Sequence, residues 1–145
     1  MKLNLDCVRR ILLCVENNTG VRKNCIFIDS GLEEVELMIG NEPTIPFDYQ
    51  TELLKEFSND ELIYHLNYCA EAELLSISSS PGQYTIIITD LTPKGHEFLA
   101  NIRNDTFFNK VKDIGKEIGT NSLRDLTQIA TSCATMLIKA HFNLP

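Results

Sequence analysis

The stretch from Ser58 to Leu99 constrains the fold more than any other part of the chain. Ser58-Asn59-Asp60-Glu61 has the spacing of a capping box, in which the serine hydroxyl accepts from a backbone N–H while the glutamate reaches back to the cap. The helix it opens carries Leu62, Leu66, Cys69 and Glu73 at i, i+4, i+7 and i+11, with Ile63, Ala70 and Leu74 beside them. That spacing predicts a buried helical face from Asn59 to Leu74. Leu75-Ser76-Ile77-Ser78 then alternates with period two, and Tyr84-Thr85-Ile86-Ile87-Ile88-Thr89 is β-branched and aromatic. Ser79-Ser80-Pro81-Gly82-Gln83 between them supplies the turn residues of a short hairpin. Leu91-Thr92-Pro93 starts a further helix, with Thr92 as cap and Pro93 in the first-turn position it favours. Phe98, Leu99 and Ile102 are its inward residues.

Upstream, Gln50 to Phe57 can form a short helix. Helix, helix, then a two-stranded hairpin is the order of a winged helix-turn-helix. Before it, Leu3 to Glu16 reads as a helix with Leu5, Val8, Leu12 and Val15 on one face, stopped by Asn17-Asn18-Thr19-Gly20. Residues 20–48 read as an irregular, strand-bearing insertion. Cys25 to Ile28 and Val35 to Ile39 are its short strands, and Pro43 and Pro46 break any longer element. Residues 106–141 read as a C-terminal helical extension. Phe107, Val111, Ile114 and Ile118 face inward in its first helix, which Gly119 ends. The second opens at Ser122, and its stripe is Leu126, Ile129, Ala130, Cys133, Leu137 and Ala140. The expectation is one mainly helical α+β domain over residues 1–145: a winged-helix-like core, a short hairpin wing and additional C-terminal helices.

Composition supports a single globular domain, since 145 residues with 43% hydrophobic and 23% charged side chains can bury one ordinary core. Five cysteines, an odd number without any CxxC pair, read as small buried hydrophobes in a reducing compartment. Asp6, Arg9 and Arg10 interrupt the apolar N-terminal residues, and no run approaches the roughly 20 apolar residues of a membrane span. The expected location is cytoplasmic, with no membrane contact.

Several blocks also resemble a known family. They are Lys2, Asp6 and Val8-Arg9-Arg10-Ile11-Leu12-Leu13; Glu61 with Tyr64-His65-Leu66; and Leu91-Thr92-Pro93-Lys94-Gly95-His96-Glu97-Phe98-Leu99 followed by Ile102-Arg103-Asn104-Asp105. Together they are similar to an uncharacterised family of small bacterial, phage and prophage proteins, known only as a domain of unknown function. The His-Glu-Phe-Leu block is the most specific part, and the resemblance covers most of the chain outside residues 20–48. It implies a winged-helix-like fold and a mobile-element context. It implies no activity or catalytic residue. Glu73 departs from the pattern, because relatives typically place glycine there, where a left-handed C-terminal turn costs glycine little.

No constellation for catalysis stands out. His65 and Cys69 have a metal-ligand spacing, but no second Cys or His pair completes a cage, and packing explains them better. His96 could pair with Glu97 or Asp90, and His141 is expected to face solvent. The glycines form no phosphate-binding loop. Glu33, Glu34 and Glu36 lack the alternating oxygen ligands of a calcium loop. No cofactor or metal is expected, and no enzymatic activity.

Two surfaces remain. The expected outward face of the Asn59–Leu74 helix carries Glu61, Tyr64, His65, Tyr68 and Glu71, and no Lys or Arg lies between Lys55 and Lys94. A DNA-reading helix needs cations for phosphate and base contacts, so this face suits a protein partner better. Arg9, Arg10, Lys94, Arg103, Lys110 and Lys112 could gather into a basic flank if the first and fourth helices pack together. That flank is the refuge of a nucleic-acid reading that the net charge of −7 disfavours. The apolar last helix closes the core or forms a homodimer seam. The expectation is a non-catalytic phage- or prophage-type accessory protein acting through protein–protein contact on a host or defence component. A dimeric winged-helix DNA-binding regulator is the alternative.

Overall fold

The chain opens with helix α1, Leu5–Asn17, whose start is fixed by Asn4: its side-chain oxygen accepts from the backbone N–H groups of Asp6 and Cys7. The computed structural model describes residues 1–32, 40, 45–80 and 84–145. The expected strand Val35 to Ile39, the acidic residues Glu33 to Glu36, the breaker Pro43 and the hairpin tip Pro81 to Gln83 lie outside the described residues. Among those described, strand β1 (Cys25–Ile28) and a short 3-10 turn (Ser30–Leu32) precede α2 (Asp48–Leu54) and α3 (Asn59–Glu71). Strands β2 (Leu75–Ile77) and β3 (Thr85–Leu91) follow, then α4 (Pro93–Ile102), α5 (Asp105–Ile118) and α6 (Leu123–His141). The fold is therefore α+β and mainly helical. No described helix is long and apolar enough to cross a membrane.

The strands form one antiparallel sheet in the order β1-β3-β2. β3 is central, pairing Cys25 with Ile88 and Phe27 with Ile86 on one side, and Leu75 with Leu91 on the other. The segment 25–28, read from sequence as part of an insertion, is thus a strand of the main sheet, and its Cys25 and Phe27 are fully buried. Its outer edge is closed by side chains. The Tyr49 hydroxyl accepts from Ile26 N–H at 2.7 Å and donates to Ile26 C=O at 2.9 Å. The buried Gln50 amide does the same for Ile28, accepting from its N–H at 2.8 Å and donating to its C=O at 2.7 Å. Two side chains of α2 therefore replace a missing neighbour strand, which blunts an edge that would otherwise template association.

The core lies where α1 packs on α3, α4 and β3, with α5 and α6 closing it from the other side. Val8, Ile11, Leu12 and Val15 of α1 meet Leu62, Leu66 and Cys69 of α3, Ile88 of β3, and Phe98, Leu99 and Ile102 of α4. In α5 the buried residues are Phe108, Val111 and Gly115, whereas Phe107 and Ile114 are half-buried and Ile118 is exposed. The expected inward face is thus turned by about one residue. The reason is the contact with α6: a Cβ on Gly115 would sit 2.7 Å from Leu126 Cδ2, so glycine brings the two helices together there.

The capping signals act as their spacing predicts. Ser58 and Glu61 form both halves of the capping box, and Thr92, Asn104 and Ser122 cap α4, α5 and α6. α3 ends earlier than expected, through a Schellman turn in which Leu74 N–H bonds to Cys69 C=O and Glu73 N–H to Ala70 C=O. Glu73 occupies its left-handed position at φ 62°. Gly119 takes the same position after α5 (φ 73°), and Asn143 after α6 (φ 54°).

Candidate functional site

The face of α3 that sequence offers to a partner is only partly free. Tyr64 and Tyr68 are half-buried, with ring centroids 5.9 Å apart. Tyr68 donates its hydroxyl to Asn121 C=O at 3.3 Å, tying α3 to the α5–α6 connection. Glu71 is exposed, as are Asp60 and Asn67, while Glu61 is half-buried through its capping role. His65 corrects the expectation of an outward side chain, since it is fully buried. Its ring bridges two helices: Nδ1 lies 2.7 Å from Glu61 C=O, and Nε2 accepts from Asn4 N–H at 2.8 Å. An Nε2 that accepts cannot carry a proton, so this geometry assigns the Nδ1–H tautomer, donating to Glu61. Tyr64 lies edge-on to the same imidazole at 5.0 Å and covers it. What remains outward on α3 is acidic and aromatic: Asp60, Glu71 and the outer parts of Tyr64 and Tyr68.

Glu61 also borders a cleft of about 520 Å³ between the starts of α1 and α3 and the end of α5. Lys2, Asp6, Lys112, Lys116 and Thr120 line it with Glu61. Its charges alternate in sign, and Lys112 is already held by Asp6 at 3.1 Å.

The basic flank is brought together in part and largely neutralised. α1 does pack on α4, and at Phe108 of α5 the Arg9 guanidinium lies 4.4 Å and the Lys112 ammonium 4.6 Å from the ring centroid. Arg9, however, is ion-paired with Asp105, Arg10 with Glu56, Arg103 with Glu16 at 2.6 Å, and Lys112 with Asp6. Among the described residues Lys94 and Lys110 make no ion pair, and they stand apart: Lys94 borders a hollow with Thr127 and Thr131, Lys110 one with Leu137 and Ile138. Four of the six flank cations therefore serve to join elements of the fold.

The remaining candidates for chemistry sit in ordinary packing. His96 Nε2 is 3.5 Å from Asp90 Oδ1 on the exposed surface, and His141 is exposed beside Phe142. No group of three His, Cys, Asp or Glu among the described residues could hold a metal ion. Burial pushes the Cys7 thiol up to about 12 and raises that of Cys69. Cys14 and Cys25 face each other between α1 and β1: a hydrogen bond from Cys25 lowers the half-buried Cys14, and the same bond with burial raises Cys25.

With those surfaces described, comparison with known proteins adds one result. Residues 2–121 match the family described as "Hypothetical protein (DUF2513)". The chain belongs to that family. No curated protein and no solved structure matches it. The resemblance of the Arg9-Arg10, Tyr64-His65 and His96-Glu97-Phe98-Leu99 blocks to a domain of unknown function thus holds at that level. The structure gives these DUF2513 blocks a shared purpose: Arg9, Arg10, His65 and Phe98 all join one helix to another or fill the core. α6 lies beyond the matched residues, and it carries what sequence reading missed. Leu126, Ala130 and Cys133 are buried as expected, but Leu137 and Ala140 of the same stripe are exposed, because the helix outruns the domain it packs on.

Proposed function

We propose that this DUF2513 protein is a winged-helix-like scaffold that acts without catalysis, by gripping another protein. The winged-helix reading is supported by the element order α1-β1-α2-α3-β2-β3 with β3 between its partners, and by the position of α3 just before the β2–β3 hairpin. The observation that carries the functional reading is the surface of α3. In a DNA-binding winged helix this element enters the major groove and needs cations. Here it offers Asp60, Glu71 and two tyrosines, and no Lys or Arg occurs between residues 55 and 94. Tyrosines beside carboxylates suit a partner with a basic, partly apolar surface, because the rings supply contact area and the charges steer encounter. The phage or prophage setting, with a host or defence component as the partner, rests on the family resemblance alone.

A photo-cross-linker in place of Asn67, at the centre of this face, tests the proposal in lysate of the native host. One protein species captured by the wild-type face and lost on Glu71→Lys is the expected result. The competing regulator reading is tested with a random-sequence duplex at about 50 mM salt, where phosphate contacts are strongest. The expected result is no binding. Tight, salt-dependent binding abolished by charge reversal at Arg9 and Arg10 would overturn the protein-partner reading.

A further inference from the structure

We infer that the end of α6 is the seam of a homodimer, a second copy of this chain being its occupant. Met136, Leu137, Ile138, Phe142 and Leu144 are each between 55% and 69% exposed, and all fall within the nine residues 136–144. A surface helix keeps its apolar residues on one stripe toward its own core. Here Met136, Leu137 and Ile138 are consecutive and so point in different directions around the helix, and none is covered by the domain. Such a helix end is apolar on several sides, the pattern of a helix enclosed by protein. Beside it lies a groove of about 630 Å³ between α4, α5 and α6, lined by Ala100, Phe107, Ala134, Leu137 and Ile138, with Lys110 beside them.

Three observations select a second copy as the occupant. The first is self-complementarity: Phe142 follows one helical turn after Ile138, which lines the groove, so projection and groove lie at the same end of α6, as a two-fold interface requires. Each copy places Phe142 in the groove of the other, with the two α6 ends antiparallel. The second is charge. Two copies carrying −7 each repel wherever carboxylates meet, yet from Leu126 to Leu144 the only formally charged side chain is Lys139. This is a surface on which two acidic chains approach without bringing carboxylates together. The third is area. Five large side chains exposed to this extent present on the order of 500 Å² of apolar surface per copy, below the roughly 800 Å² per partner of a standard interface but within the range of a weak, concentration-dependent one.

The test is the mass of the full chain by sedimentation velocity, from low-micromolar to roughly 100 μM, a range that spans micromolar dissociation constants. The expected result is twice the 16.4 kDa monomer mass at the upper end. Leu137→Asp and, separately, Phe142→Asp are expected to return the mass to that of the monomer with far-UV dichroism unchanged. Phe142 lies past the helix and outside the core, so this variant reads the interface even if Leu137→Asp perturbs the fold. Glu71→Lys, on the other candidate surface, is expected to leave the dimer intact. A wild-type monomer throughout the range overturns the inference, and so does a dimer indifferent to Phe142→Asp.

Discussion

Glu73 and Gly95 stand on opposite sides of one backbone contact and make opposite demands on their side chains. Glu73 holds φ 62° to close the Schellman turn of α3, a conformation that costs a residue with a Cβ about 1–2 kcal/mol. Glycine adopts it freely but is more flexible in the unfolded chain. Glu73→Gly is therefore expected to stabilise the protein by about 0.5–1 kcal/mol, read as a higher urea midpoint at unchanged slope. Gly95 is the reverse case. A Cβ there would lie 2.1 Å from Leu74 C=O, the carbonyl that also accepts from Thr92 N–H, so α4 and the end of α3 would have to separate. Gly95→Ala is expected to cost at least about 2 kcal/mol by the same measurement, as overpacking against rigid backbone does. Departure from the family pattern at Glu73 was legible in sequence, because the conformation of a helix C-terminus is local. The need for glycine at position 95 was not, because it comes from a backbone more than twenty residues away. Thiol reactivity is set at this scale too. Cys14 is half-buried with a pKa lowered by the Cys25 hydrogen bond, while Cys7, Cys25 and Cys69 are buried with raised values. Since the thiolate is the nucleophile, Cys14 is expected to be alkylated first by iodoacetamide near pH 7.5, followed by peptide mass mapping; earlier modification of Cys7 or Cys69 would contradict this assignment.

At the scale of elements, the sheet depends on α2 as much as on its own strands. Gln50 satisfies both outward backbone groups of Ile28 from a fully buried position. Gln50→Leu keeps the bulk but leaves a buried N–H and C=O without partners, each worth about 1–3 kcal/mol. The expected loss is about 2–4 kcal/mol in chemical denaturation, with concentration-dependent aggregation as the unprotected edge of β1 becomes available. Tyr49→Phe, at a site that is only half-buried, should cost less, about 1 kcal/mol, since water can reach the Ile26 groups. The helices were legible in sequence through periodicity and caps: Ser58, Thr92 and Ser122 all cap as their spacing indicates. The role of β1 was not. A four-residue apolar run such as Cys25 to Ile28 states its propensity but not its neighbour, and its pairing with β3 closes a loop of some sixty residues. The inward turn of His65 escaped for a related reason. Its position on α3 is ambiguous between flank and core, and its acceptor duty toward Asn4 exists only once α1 is docked.

Across the whole molecule, the boundary of the family match and the boundary of the core do not coincide. The match ends at residue 121, yet α6 sends Leu123, Leu126 and Ala130 into the same core that α1, α3 and α4 build, and buries Cys133 one turn further on. Burial of a Leu-sized side chain is worth about 1.5–3 kcal/mol, so the two leucines with Ala130 and Cys133 contribute on the order of 5–8 kcal/mol. That rivals the 5–15 kcal/mol net stability typical of a whole domain. A chain cut after residue 121 would also lay bare Phe98, Val111 and the Gly115 surface that faces Leu126. It is expected to lack a cooperative thermal transition and to bind hydrophobic dyes. A chain cut after Ala134 is a different case, because every residue beyond it is exposed. It retains the buried half of α6 and loses only the apolar end, so its melting temperature at low-micromolar concentration should fall within a few degrees of the full chain, a shift of about 1 kcal/mol or less. A cooperative transition in the 121-residue chain would show instead that α6 is an appendage, and that the core assigned to it closes without it.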